Sequence, residues 1–203
     1  MSRRTFVFLY AKHVPKVSQQ YRDARRDQIL NAARRCFLRD GFHATSMQDL
    51  FAEASLSSGA FYRYFASKDD VIIAIAEDNM RGVLETIRDA GVWQPGRPAG
   101  TALADALEIV RTKDAENSLG KIAVLVWAEA LRSPAIAARF EAMLTQMRAG
   151  FAEVIREGPD DAAADAMAAA LVSVLAGYIL QLALLGPGPV DGVPEILRSR
   201  WPS

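Results

Sequence analysis

Thr45-Ser46-Met47-Gln48-Asp49-Leu50-Phe51-Ala52-Glu53-Ala54-Ser55-Leu56-Ser57-Ser58-Gly59-Ala60-Phe61-Tyr62-Arg63-Tyr64-Phe65 holds two helix starts in quick succession. Thr45-x-x-Gln48 has the spacing of a capping box, and Ser46-x-x-Asp49 resembles one. Each offers a hydroxyl to the orphan backbone donors of a first turn. The helix so started should end near Ala54. Beyond Ser55 and Leu56, Ser57 can cap a further helix over 58–64. Upstream, between Arg22 and Arg39, Ile29, Ala33, Cys36 and Phe37 form an apolar stripe, with Arg25, Arg26, Arg34 and Arg35 off it. Gly41 supplies the permissive residue past that helix end. Three helices, with a tight turn between the second and third, spell a helix-turn-helix. A fourth helix starts near Lys68 and runs toward Asp89.

The rest of the chain also reads as helix, so the fold class is all-α: an amino-terminal helix-turn-helix unit followed by a helical remainder. Gly91 to Gly100, with Pro95, Gly96 and Pro98, is a loop. Helices come next over 101–112, 119–131, 134–157 with Pro at its start, and 160–185. Gly186-Pro187-Gly188-Pro189 ends the last of these, and a short tail helix lies around 194–200. The implied divisions are a basic, flexible extension over 1–21, a helix-turn-helix unit over 22–68 and a helical unit over 69–203. Residues 166–185 are long enough to span a bilayer, for which roughly 20 residues suffice. They are mostly Ala, carry Ser173, Gly177, Tyr178 and Gln181, and come after Asp160, Asp161 and Asp165. A helix apolar nearly all round also suits a core or a subunit interface, which is the favoured reading; a membrane-associated or structural helical protein is the alternative. Arg3-Arg4 before Phe6 to Ala11 has the charge order of a signal peptide, but the apolar run is short and no cleavage site succeeds it.

Over 203 residues the formal net charge is zero, yet residues 1–68 hold twelve bases against five acids, a charge of +7 that leaves −7 for the remainder. A basic third on an acidic body is expected when one part meets a polyanion. One cysteine excludes an intrachain disulfide, and a reducing, cytoplasmic setting is expected. Cys36 falls on the apolar stripe as a packing residue. His13 and His43 have no Cys or His neighbours at ligand spacing, so no metal is expected. Phosphate-binding glycine loops, nucleotide fingerprints and nucleophile elbows are lacking, so neither enzyme nor cofactor is expected.

The motif residues resemble the tetracycline-repressor (TetR) family of bacterial transcriptional regulators. The resemblance runs from Ile29-x-x-Ala32-Ala33-x-x-x-Phe37 through Gly41-Phe42 and Thr45-Ser46-Met47-x-Asp49-Leu50. It continues to Gly59-Ala60-Phe61-Tyr62-Arg63-Tyr64-Phe65 and Ser67-Lys68. It implies that Thr45 and Ser46 cap the second helix and touch phosphates, and that Gln48 points to a base or phosphate. It places Ser58, Gly59, Ala60 and Arg63 at the major groove and Tyr62, Tyr64 and Lys68 on phosphates. Read from chemistry alone, Arg63 suits either a guanine edge or a phosphate. The resemblance further implies a homodimer formed through 160–185 and the segment after it, a palindromic operator in double-stranded DNA, no membrane, and release by a small molecule. Trp93, Trp127, Phe140, Met143, Met147 and Tyr178 are candidates to line its cavity, each being first a core residue. Two positions depart from the family. Ser55 stands where it places Gly in the turn, so the turn is either strained or of different geometry. Phe51 stands where it prefers Ala and should push the second helix or open its packing. The family begins near Val14, so translation is expected to start there rather than at Met1.

Overall fold

The computed structural model describes residues 19–92, 94, 97–156 and 162–200, and among them every regular element is a helix. They are α1 (Gln19–Asp40), α2 (Met47–Glu53), α3 (Ser58–Phe61), α4 (Lys68–Asp89), α5 (Ala99–Asn117), α6 (Leu119–Ala130), α7 (Pro134–Ile155), α8 (Ala162–Leu185) and α9 (Val193–Arg200), with a 3-10 turn at Gly188–Val190. Of the expected extension over 1–21, residues 1–18, with His13 and the Val14 start, lie outside the described residues, and Gln19 to Tyr21 begin α1.

The capping chemistry resolves in favour of Ser46. Its hydroxyl accepts from the Asp49 amide at 3.2 Å while Asp49 Oδ2 accepts from the Ser46 amide at 2.8 Å, closing a reciprocal box. Ser57 caps α3 through the Ala60 amide, and Ser67 caps α4 through the Asp70 amide. The third helix is shorter than the expected 58–64. It stops at Phe61, and Tyr62 to Tyr64 form a turn that lets Phe65 drop into the same core as Phe61. The fifth is longer than 101–112, because Lys113 to Asn117 continue it until Ser118 reverses the chain in the left-handed region, φ 54°.

Two apolar cores stack along α4. The upper one gathers Ile29, Phe37, Leu50 and Phe61 with Val71, Ile72 and Ile75, and takes in Ile122, Val126 and Ile136 from α6 and α7. Residues beyond Lys68 thus supply part of the core that packs the helix-turn-helix. The lower core joins α5, α7 and α8 around Leu103, Leu107, Phe151 and Leu171. Cys36 is buried in the upper core, where desolvation raises its thiol pKa. Gly120 lets α6 lie close on α8: a Cβ there would stand 3.1 Å from the Ile179 carbonyl. The tail folds back within the protomer, with Pro194 buried and Arg198 bonded to Asp105 at 2.9 Å.

Ser55 takes the left-handed conformation that a glycine would occupy without cost, φ 54°. Its amide bonds Ala52 and the next amide, of Leu56, bonds Phe51. A non-glycine residue there costs on the order of 1 kcal/mol. Ser55→Gly is therefore expected to stabilise the protein by up to about 1 kcal/mol in denaturant unfolding; unchanged or lower stability would show the turn unstrained.

Candidate nucleic-acid interface and internal cavity

The exposed edge of α2 and α3 carries Gln48, Ser58, Gly59, Tyr62 and Arg63, with Ala60 and Tyr64 half-buried beside them. A Cβ on Gly59 would meet nothing within 4 Å, so the protein's own packing does not require that glycine. Arg63 makes no ion pair with a carboxylate among the described residues, and its guanidinium stands exposed. Tyr62 is 51% exposed and lays its ring edge on Phe51, which also packs against Phe61 at 5.0 Å. Phe51 thus does not open the packing: the turn after α3 absorbs the larger ring into an aromatic cluster that braces the exposed edge.

Two of the residues expected at phosphates turn their polar groups inward. Thr45 is 1% exposed and donates its hydroxyl to the Gly41 carbonyl at 2.7 Å, closing the loop between α1 and α2. It neither caps α2 nor offers its hydroxyl to the surface. Lys68 turns its ammonium inward. The Nζ donates to the carbonyls of Phe42 at 2.6 Å and Thr45 at 2.8 Å, and sits 4.4 Å from the Phe42 ring centroid. A loop whose carbonyls lack helical partners needs donors, and the lysine supplies them from α4.

Much of the head's basic charge is also internally committed. Glu53 accepts from Arg35 at 2.7 Å and Arg39 at 3.4 Å, and these guanidinium groups hold its carboxyl below the usual range. Arg39 also pairs with Asp40, its own pKa raised by those bonds. Asp49 is held low by its Ser46 bonds. These pairs use acids that the net count of +7 already subtracts, so they decide which bases are free to face a polyanion and leave the net charge unchanged.

Below the head, α4, α6, α7 and α8 enclose a cavity of about 330 Å³. Trp127, Phe140, Met143 and Met147 line it, as expected, together with Phe151. Tyr178 does not: it is buried in the lower core, its hydroxyl without a partner among the described residues, and burial pushes its pKa up. Trp93 lies outside the described residues. Sequence reading missed the face of α4 that forms one wall, Ala76, Asn79, Met80, Val83 and Ile87, although its spacing of three and four was there to be seen. It also missed Arg148, which among the described residues is the one cation in the wall, where no carboxylate faces the cavity.

Head and body are joined by polar links that no local pattern announces. His43 Nε2 lies 2.8 Å from Oε1 of Glu129, itself buried, and 3.0 Å from an Arg132 nitrogen. Ser133 reaches Asp69 at 3.4 Å. Arg34 of α1 donates to Asn79 Oδ1 at 2.7 Å.

A capped pair of short helices exposing small residues and a free arginine, braced on a helical body with its own cavity, defines a helix-turn-helix transcriptional regulator. Comparison with known proteins agrees: residues 29–75 match the model of bacterial regulatory proteins of the tetR family, and residues 98–200 match the carboxy-terminal domain of BetI-type transcriptional repressors. The chain belongs to the TetR family. It is 34% identical over 178 residues to the HTH-type transcriptional repressor Rv1474c of Mycobacterium tuberculosis, covering 84% of this chain and 88% of that one. In fold it is similar to GusR of Salmonella enterica, with a TM-score of 0.71, 24% identity, and 90% and 95% of the two chains covered. A regulator of Saccharomonospora viridis solved in complex with choline is similar at TM-score 0.64 and 21% identity, over 87% and 94%. The chain is a DNA-binding regulator and not an enzyme.

Proposed function

We propose that this regulator is a cytoplasmic, homodimeric repressor that leaves a palindromic operator when a small molecule enters the cavity under α4. Its divisions are the extension 1–21, the reading head 22–68 and the effector and dimerisation unit 69–203. The observation that carries the reading is the unpaired guanidinium of Arg63 on an edge otherwise made of Gln48, Ser58, Gly59 and Ala60. Arg63 reads a guanine edge, a bidentate contact worth roughly 1 to 3 kcal/mol of discrimination. Ser46, Tyr62 and Tyr64 hold phosphates, which fix register without reading sequence. Two heads on a twofold axis read half-sites about one helical turn, or a multiple of it, apart.

The dimer forms through α8. Ala166, Met167, Ala170, Ser173, Leu180, Gln181 and Leu184 form an exposed stripe at helical spacing. The helix is long and apolar enough to cross a membrane, and only 33% of it is buried within the protomer. A second subunit covering that stripe accounts for its apolar character without a bilayer. The segment after α8 packs one face on α5 of its own chain and leaves Ile196 exposed, so it can extend the contact beside α8. A coupling of about 1 to 3 kcal/mol between cavity and reading heads suffices for release. A quaternary ammonium such as the choline held by the Saccharomonospora viridis protein would find the rings of Trp127 and Phe140 in this cavity, but no carboxylate lining it among the described residues, and Arg148 opposes it.

Purified protein and a duplex selected from a random library test the reading. Arg63→Ala is expected to weaken the selected duplex by about 5- to 150-fold, the equivalent of that discrimination, while leaving random DNA nearly unchanged. Equal losses on both would assign Arg63 to a phosphate, and no DNA retention by the wild type would sink the regulator reading.

A further inference from the structure

We propose that Asn79 is the polar anchor of the cavity's ligand, an apolar molecule bearing a carbonyl or carboxylate oxygen, and that its bond to Arg34 carries occupancy to the reading head. The inference rests on the cavity being the effector site, and goes on to name the ligand's chemistry and the residue pair that transmits its arrival.

Asn79 sits on α4 where two hollows meet. It lines the apolar cavity on one side and, on the other, a polar cleft shared with Asn31, Arg34, Asp78 and Lys113. Its amide oxygen is taken by Arg34, but its Nδ2 is buried and has no acceptor among the described residues. A buried amide donor left unmade costs about 1 to 3 kcal/mol, which a ligand oxygen placed there recovers. The wall is mostly apolar and no carboxylate lines it among the described residues, so a cation would find only ring faces such as Trp127 and Phe140, whereas an acceptor finds Asn79 and an anion also finds Arg148.

Arg34 is strained in the same sense. Its side chain is 12% exposed, Asp78 stands 3.9 Å away, and its Nε is buried without a partner among the described residues. Desolvation lowers its pKa despite that aspartate. A guanidinium so poorly compensated depends on its short bond to Asn79 and its 3.0 Å bond to Asn31. A ligand oxygen that draws the Asn79 amide toward the cavity must either pull Arg34 along or break that bond. Arg34 belongs to α1, whose Ile29, Ala33 and Phe37 pack the reading head, so either outcome moves the head against α4. One side-chain amide thereby belongs to both sites, a physical link rather than spatial proximity.

The test titrates the full chain with decanoate, methyl decanoate and decyltrimethylammonium, which share an apolar body and differ in the head. Tryptophan fluorescence reports binding, and retention of the selected duplex reports release. Decanoate and methyl decanoate are expected to bind at least tenfold more tightly than the cation and to release DNA. Asn79→Leu should erase that preference. Asn79→Asp, which keeps a partner for Arg34 and so guards against misfolding, should reverse it. Arg34→Met should leave decanoate binding within twofold while abolishing the ratio of DNA affinities without and with decanoate. Unaltered head-group preference in both Asn79 variants overturns the anchor, and undiminished release in Arg34→Met overturns the link. A wild type that prefers the cation overturns the proposal alone; a wild type that responds to none of the three overturns the cavity as an effector site as well.

Discussion

Lys68→Met is expected to destabilise the protein by about 2 to 3 kcal/mol and to weaken specific and random DNA binding together. The side chain makes two short bonds to carbonyls and covers the face of Phe42. A hydrogen bond from a charged donor contributes roughly 1.5 to 3 kcal/mol, and an ammonium over a ring about 0.5 to 2; methionine keeps the stem's packing and loses both. The loop over 41–46 is what the lysine holds, and that loop sets where α2 begins: Thr45 and Ser46 lie in it. Slackening it misplaces Gln48 and, through Phe51, the edge bearing Tyr62 and Arg63. Denaturant unfolding and a salt titration separate this from a phosphate contact. A clamp lowers stability and leaves the slope of log affinity against log salt unchanged. A phosphate contact leaves stability alone and reduces the slope by about 0.9. The second pattern would restore Lys68 to the DNA surface.

That lysine also shows where sequence reading stops. The starts of α2 and α3 were legible because they depend on neighbours three residues away: Ser46 with Asp49 and Ser57 with Ala60. The apolar stripe from Ile29 to Phe37 and the boundaries of α4 were legible for the same reason, as was the list Trp127, Phe140, Met143 and Met147 for the cavity. What failed was long-range. Lys68 reaches carbonyls 23 and 26 residues away, Arg34 meets Asn79 45 residues on, and His43 meets Glu129 across the whole fourth and fifth helices. A basic side chain after a recognition helix looks the same in sequence whether it turns to a phosphate or to the protein's own backbone. The net charge count could not say which bases are free, since it does not show that Arg35 and Arg39 are the ones that meet Glu53. Ser55 was the instructive middle case: the sequence posed strain or altered geometry, and the positive φ decides for strain.

Gly177→Arg is expected to convert a dimer into monomers and to reduce binding to a two-half-site duplex by more than about a hundredfold, without harming the protomer. Gly177 lies mid-helix on the half-exposed side of α8, and a Cβ there would meet nothing within 4 Å. In a solvent-facing helix such a glycine is a net loss of about 1 kcal/mol against alanine, so the protomer alone gives no reason for it. A partner helix does, because a residue without a side chain lets two backbones approach along the stripe of Ala170, Ser173 and Leu184. If the face were solvated, arginine would improve helix propensity and raise stability. If a twofold axis passes nearby, two arginines are forced together in an apolar contact, and an unpaired buried charge costs roughly 3 to 5 kcal/mol. Each half-site then has to be bound by a separate head, which forfeits the local concentration that a dimer provides. Sedimentation separates the cases: a stable, helical, monomeric variant with intact weak binding to random DNA is the expected result. A variant that remains dimeric places the twofold contact elsewhere, and one that aggregates with detergent-reversible insolubility would revive α8 as a membrane segment.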